Sequence, residues 1–498
     1  MTLSVVSTVF RQGNSNLVGV NDFAVFFSGS RVFLITGSEA QGNFGIYYIY
    51  SDAAPRRRGG LAQGDETGSN TLNGFELITH NGETFLLTSG RYDDSAALVP
   101  IDSTGKLDNE FNITGDTTDY GHFALTHTVQ LDGKTFTFVI RNGQSGIESY
   151  RIMNDLSFRE KRGYDDTNDT HLGDVTAMDS VTIGDRTFLI TVSGIDAGIQ
   201  TYVVGRHGNL RARDTISPDH GAGLALSTDV DIVAVGEMHF AVLTSAGTNS
   251  VTVYHINNHG HLTQTDHVLD GRDTRFQDAS IVETIAHHGR AYVFVAGSDD
   301  GITVFELTSD GQLQLREVLA DDFETALNNI STMELVILDD TIQLFVGSSS
   351  EHAMTQFTYT PQNTGYVING AGDADNLIGS TDNDIMFGAG NGDQINGRAG
   401  DDMIDGGAGR DILTGGTGND TFVFAPDGRR DIITDFQLGK DVIDLSQFEL
   451  VGHVDSLDIR SRSFGAVIVI GGETIRIENH REERFYADDF SNEDFIFI

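Results

Sequence analysis

The chain is predicted to be all-β: a seven-bladed β-propeller followed by a parallel β-roll with a small β cap. Three observations predict it. An apolar anchor recurs at Phe33, Phe85, Phe136, Phe188, Phe240, Tyr292 and Leu344, with every spacing 51 or 52 residues. A nine-residue unit runs six times without a slip from Gly370 to Val423. Before residue 360 no stretch carries the 3.6-residue apolar period of a helix. The predicted divisions are 1–360 for the propeller, 361–425 for the roll and 426–498 for the cap and C-terminus.

Each unit of the first 360 residues has the same parts. Tight-turn signals precede the anchors at Asn81-Gly82, Asp132-Gly133, Gly184-Asp185 and His288-Gly289. A further apolar strand follows, as in Gly198 to Val204 and Gly301 to Leu307. A Gly-x-Leu turn then leads to a fourth strand, at Gly105–Leu107, Gly208–Leu210, Gly260–Leu262 and Gly311–Leu313. Four short strands in about fifty residues make a propeller blade. The seventh unit breaks at Pro361, one strand short, and Leu3 stands thirty residues before its anchor. Leu3–Phe10 is therefore expected to supply the outer strand of blade seven, closing the ring without a free edge.

Candidate chemistry in this region begins with a ring of polar residues. Nine places before the anchors stand Glu76, His127, Asp179, Asp231 and Glu283, with Glu334 one place off and Ala24 breaking the set. Equivalent places surround the central channel, so an acidic collar is expected. Two readings are open. The collar holds a cation or acts as general acid and base, or each carboxylate accepts bonds from the next blade's backbone. Loops rich in Asp and Asn (165–169, Asp219-His220, Asp273, Asp321-Asp322) read as solvated turns or further cation sites. His255, His259, His261 and His267 lack metalloprotease spacing and read as surface turns.

In the nine-residue units the first place is glycine, from Gly370 to Gly415. The sixth is Asp375, Asp384, Asp393, Asp402, Asp411 or Asp420, and the eighth is always apolar, from Leu377 to Phe422. The apolar place fills a solenoid that one unit cannot bury alone. Glycine and Asn/Asp permit positive backbone angles. The carboxylates offer hard oxygens suited to calcium. Ten aspartates against Arg398 and Arg410 repel one another, so the ion is expected to belong to the fold. Units one to three carry Asp373, Asp382 and Asn391 where the fourth-place glycine is expected, and calcium is expected there too.

The pattern G-G-x-G-x-D-x-U-x resembles the RTX, or hemolysin-type calcium-binding, family. The segment Gly428 to Ser446 resembles the closing piece that follows RTX rolls, and Asp435 is expected to complete the last calcium site. The blade texture, as in Ser250 to Ile256 followed by Gly260-His261-Leu262, resembles the YVTN/lactonase-type propellers. The RTX resemblance implies calcium as the cofactor and passage through a type I secretion exporter. It also implies an uncleaved C-terminal signal, which Asp494-Phe495-Ile496-Phe497-Ile498 resembles.

Composition narrows the partners. A formal charge of −42 excludes a nucleic-acid partner. There is no cysteine, hence no disulfide framework. No stretch is long and apolar enough for a transmembrane span, and Met1–Phe10 does not read as a signal peptide. No nucleophile elbow, phosphate loop or dinucleotide motif appears. The preferred reading is a secreted, extracellular or cell-surface protein in which a propeller recognition domain is carried by an RTX export and folding module. Its expected partners are calcium ions, the exporter, and an extracellular polysaccharide, a cell-surface ligand or further copies of itself. The rival is a secreted lactonase-like hydrolase with its carboxylates at the propeller mouth.

Overall fold

The computed structural model describes residues 2–10, 17–38, 43–61, 72–90, 96–107, 123–167, 170–218, 223–322, 324–361, 364–448, 452–479 and 484–497. They fall into two compact units, Met1–His287 with Ala291–Thr360, and His288–Arg290 with Pro361–Ile498.

The first unit is a seven-bladed propeller. Six of its sheets have four strands, each strand antiparallel to the next. The sheet of Leu72–His80, Glu83–Gly90 and Ala96–Ile101 shows three. Its fourth strand, expected after Gly105–Leu107, falls outside the described residues. The anchors sit on the second strand of each blade, and these strands are buried along nearly their whole length, as at Arg186–Ser193 and Thr341–Ser348. A strand covered on both faces reads as a continuous apolar run. The outer strands, such as Leu210–Ile216, are largely exposed.

Blades are keyed together by a glycine–aromatic contact. Gly105 and Gly260 hold φ of +74° and +80°, and a side chain on either would lie 2.5 Å from the ring of Phe33 or Phe188. Gly208 and Gly311 meet Phe136 and Phe240 in the same way. The recurring Gly-x-Leu turn is thus a backbone pressed against the anchor of the preceding blade. Blade seven is completed by Thr2–Phe10, which pairs antiparallel with Ala353–Thr360, Leu3 opposite Tyr359 and Phe10 opposite Ala353.

The second unit is a two-sheet parallel solenoid. Met386, Ile404, Phe422, Ile443 and Phe495 stack in register in one sheet. Leu377, Ile395, Leu413, Ile433 and Ile477 stack in the other. All but the first, Leu377, are buried in one shared core. The eighth place of each repeat fills the roll, as its apolar constancy predicts. A hairpin of Gly465–Ile470 and Glu473–Glu478 extends the second sheet beyond the repeats.

Candidate metal centre and the channel collar

In the roll, each repeat aspartate follows a tight turn and is fixed by the turn stacked on it. The backbone N–H of Asp375 donates to Oδ1 of Asp393, that of Asp384 to Asp402 and that of Asp393 to Asp411, each at 2.8 Å. Asp402 N–H donates to Asp420 Oδ1 at 3.0 Å. The ladder runs past the repeats. Asp411 N–H donates to Asp431 Oδ1 at 2.9 Å, and Asp420 N–H to Asp441 Oδ1 at 3.2 Å. Sequence reading did not count Asp431 and Asp441 as site residues, because insertions stretch the 18-residue step. The apolar residue two places on, Ile433 and Ile443, was the available signal. Asp435 is buried, with its oxygens accepting from Gly415 N–H at 3.0 Å and Gly416 N–H at 2.8 Å.

The second carboxylate oxygens divide the set. Oδ2 of Asp393, Asp402, Asp411 and Asp420 meets no donor, although these residues are at most 2% exposed. A buried charged oxygen without a partner is costly. Burial, with repulsion from neighbouring aspartates, pushes Asp402 and Asp420 up to about 7 and Asp411 to about 6. The first-place glycines, having no side chain, let the carboxylate and the stacked turn's carbonyl approach the same point. A side chain on Gly388 would lie 2.6 Å from both Asp393 Oδ2 and the Gly406 carbonyl oxygen. Carboxylate and carbonyl oxygens facing one cradle, with no nitrogen or sulfur ligand, suit calcium.

In the propeller, the collar is a ring of latches between blades. Glu76 accepts from Thr128 N–H at 2.6 Å and Thr128 Oγ1 at 3.0 Å. Asp179 accepts from Ile232 N–H at 2.9 Å, Asp231 from Thr284 N–H at 2.6 Å, and Glu334 from Val25 N–H at 3.2 Å. His127 Nε2 lies 2.8 Å from Ser180 Oγ, and burial pushes its pKa down to about 4, so the ring is neutral. Where Ala24 breaks the pattern, Asp22 acts from two places earlier and accepts from Phe75 N–H at 2.7 Å. Asp229 does the same toward Val282 N–H at 3.1 Å. Both stand at a register shift near the start of an innermost strand, which re-aims side chains in a way spacing does not reveal. Glu283 has no such acceptor role, and burial plus repulsion from Asp231, Glu334, Asp229 and Asp179 raises it well above the usual carboxylate range.

At Glu76, Asp179, Asp231 and Glu334, though not at Glu283, the collar therefore fits the reading in which a carboxylate accepts bonds from the next blade. Among the described residues, neither the collar nor the roll brings oxygens of three carboxylates within 4.8 Å of one another. A cation in the roll would rest on carbonyls as well as carboxylates. The Asp-rich loops are fastened internally: Asp166, Asp270 and Asp321 accept from Leu172, Phe276 and Leu327 N–H at 3.0, 3.1 and 3.0 Å. Asp219, His220, Asn168 and Asp169 lie outside the described residues. The histidines do not converge. His267 pairs with Thr252, His261 with Asp214, and His255 packs on Phe240.

Residues 387–422 match the family model for the RTX calcium-binding nonapeptide repeat, in 4 copies. The roll is built of RTX repeats. Its cofactor is calcium. The match covers the repeats alone, and no curated protein matches the chain. Among solved structures, a protein from Lactobacillus plantarum is similar at 12% identity and a TM-score of 0.46, over 61% of this chain and 86% of that one. A functionally unknown protein from Desulfotomaculum acetoxidans is similar at 12% identity and a TM-score of 0.42, over the same shares. Likeness at this level carries no inference about function.

Proposed function

We propose that this is a secreted, calcium-dependent protein in which the propeller recognises an extracellular or cell-surface ligand and the RTX roll with its cap serves export and folding. The observation that carries the reading is the set of four buried carboxylate oxygens without donors, aligned along the stacked turns. Calcium neutralises such oxygens when bound. The repeat aspartates whose buried oxygens lack a donor, Asp393, Asp402, Asp411 and Asp420, are the proposed metal residues, together with backbone carbonyls of the turns. Weak oxygen sites fill only where calcium is abundant, about millimolar as outside cells. Where it is scarce, repulsion among the ten aspartates keeps the segment open, a form suited to a narrow type I exporter. Folding then follows on emergence.

Support for binding rather than hydrolysis comes from the collar, where all but Glu283 of the carboxylates that a lactonase-like enzyme would use are engaged as acceptors between blades. Among the described residues, no helix is long and apolar enough to cross a membrane. The test is expression of the full chain with and without a type I exporter. Expected is exporter-dependent appearance in the medium or on the cell surface, in a calcium-folded form. Retention inside the cell in both cases would overturn the export reading.

A further inference from the structure

The six repeat turns are alike in sequence and unlike in backbone. At the second place, Ala389, Arg398, Gly407 and Gly416 adopt φ of +72°, +79°, +73° and +107°. Ala371 and Ser380, at the same place in units one and two, are not left-handed. Their N–H groups instead donate to Oδ2 of their own aspartates, Asp375 and Asp384, at 2.6 Å each. At the fourth place Asn391, Gly400 and Gly418 are left-handed, whereas Asp373, Asp382 and Gly409 are not. A non-glycine residue such as Arg398 held at positive φ is strained and needs something to hold it there.

The donorless oxygens fall on the same side of this division. They belong to Asp393, Asp402, Asp411 and Asp420, in units three to six, and each is nine-tenths or more buried. The same four units are those that match the repeat family, from residue 387 onward. At the far end the ladder closes as it opens. Asp441 receives Asp420 N–H on Oδ1, while its Oδ2 accepts from Gln437 N–H at 2.7 Å, four residues back as in units one and two.

We infer that the calcium column of this chain begins at unit three, not at unit one, and runs past the last repeat toward the cap. Its four ions lie between units three and five, units four and six, unit five and the turn ending at Asp431, and unit six and the turn ending at Asp441. Asp431 and Asp441, outside the repeats, are ligands of the last two through Oδ1, the oxygen that faces Asp411 and Asp420, while Oδ2 of Asp441 is stapled to Gln437 N–H. Asp375 and Asp384 are hydrogen-bond staples that close the column at its start. The two strands after those last turns pair with the cap strands Glu473–Glu478 and Phe495–Ile496. Calcium occupancy thus reaches directly into the cap.

The inference rests on the calcium reading above and sharpens it. The test counts calcium bound per full-length chain by elemental analysis after dialysis at about 1 mM free calcium, the range of extracellular sites. Asp375→Asn and Asp384→Asn are expected to leave the count unchanged, whereas Asp431→Asn and Asp441→Asn each lower it by one. Loss of an ion in either of the first pair, or none in the second pair, overturns this placement of the column while leaving calcium binding intact. A gain variant covers failure to fold. Ala371→Gly with Asp373→Gly permits the left-handed turn in unit one and is expected to raise the count by one; an unchanged count overturns the account. A wild-type chain that binds no calcium would overturn both readings together.

Discussion

Propeller and roll both bury carboxylates against backbone N–H groups of a neighbouring repeat, 52 or 53 residues away along the propeller and 18 to 21 along the roll. In the propeller the arrangement is nearly self-sufficient. Asp231 draws two bonds from Thr284, and Glu76 two from Thr128. The collar carboxylates also keep partial exposure to solvent. In the roll, stacking gives each aspartate one N–H on Oδ1 and leaves Oδ2 of four of them in a dry interior. The same residue type therefore serves as a latch in one unit and as half of a metal site in the other. What separates the two is the number of donors within reach and the access of water, since a buried oxygen without either is destabilising.

The contrast breaks most visibly on removing calcium. Chelation should unfold the roll and leave the propeller's melting transition in place, read as the loss of one of two calorimetric transitions. At a hundredfold excess over its dissociation constant each ion contributes about 2.7 kcal/mol, so several together exceed what a small roll can forfeit. A single transition unmoved by chelator would remove the distinction.

Next in size is the ring closure. Deleting Thr2–Phe10 uncovers the edge of Ala353–Thr360, where Phe357 and Tyr359 are fully buried. The propeller transition should fall and broaden, and the calcium-dependent transition should stay. An unchanged propeller transition would show that the strand adds nothing to the ring.

A single latch is worth less. Asp231→Ala leaves Thr284 N–H without its acceptor and should cost about 1–3 kcal/mol in chemical denaturation. Asp231→Asn, which keeps an acceptor, should cost less. Equal losses would mean that the charge, and not the hydrogen bond, matters.

Glu283 sharpens the comparison most finely, because it is a collar carboxylate with no latch. Its pKa is raised in the folded state, so the folded form holds a proton that the unfolded form releases. Stability from this group is therefore greatest at low pH and is lost as pH rises beyond the usual carboxylate range. Glu283→Gln should raise the propeller's melting temperature at about pH 8 and leave it unchanged at about pH 4. A gain at the acidic end, or none at the basic end, would contradict the repulsive environment.

Repetition was legible in the sequence because it is a local property. Phe33 to Leu344 at 52-residue steps and Gly370 to Val423 at nine specify blade and roll through apolar period and turn chemistry alone. Pro361 and the early Leu3 were enough to place the closing strand. The repeat aspartates announced an oxygen-seeking cation by charge and spacing. Tertiary structure decided which oxygens lack a donor, because that depends on N–H groups 18 to 21 or 52 to 53 residues away. It put Asp22 and Asp229 into the collar through register shifts, and Asp431 and Asp441 into the ladder across insertions that broke the count. It also separated Asp375 and Asp384 from their four successors, since turns of one motif settle into two backbone conformations according to what stacks on them.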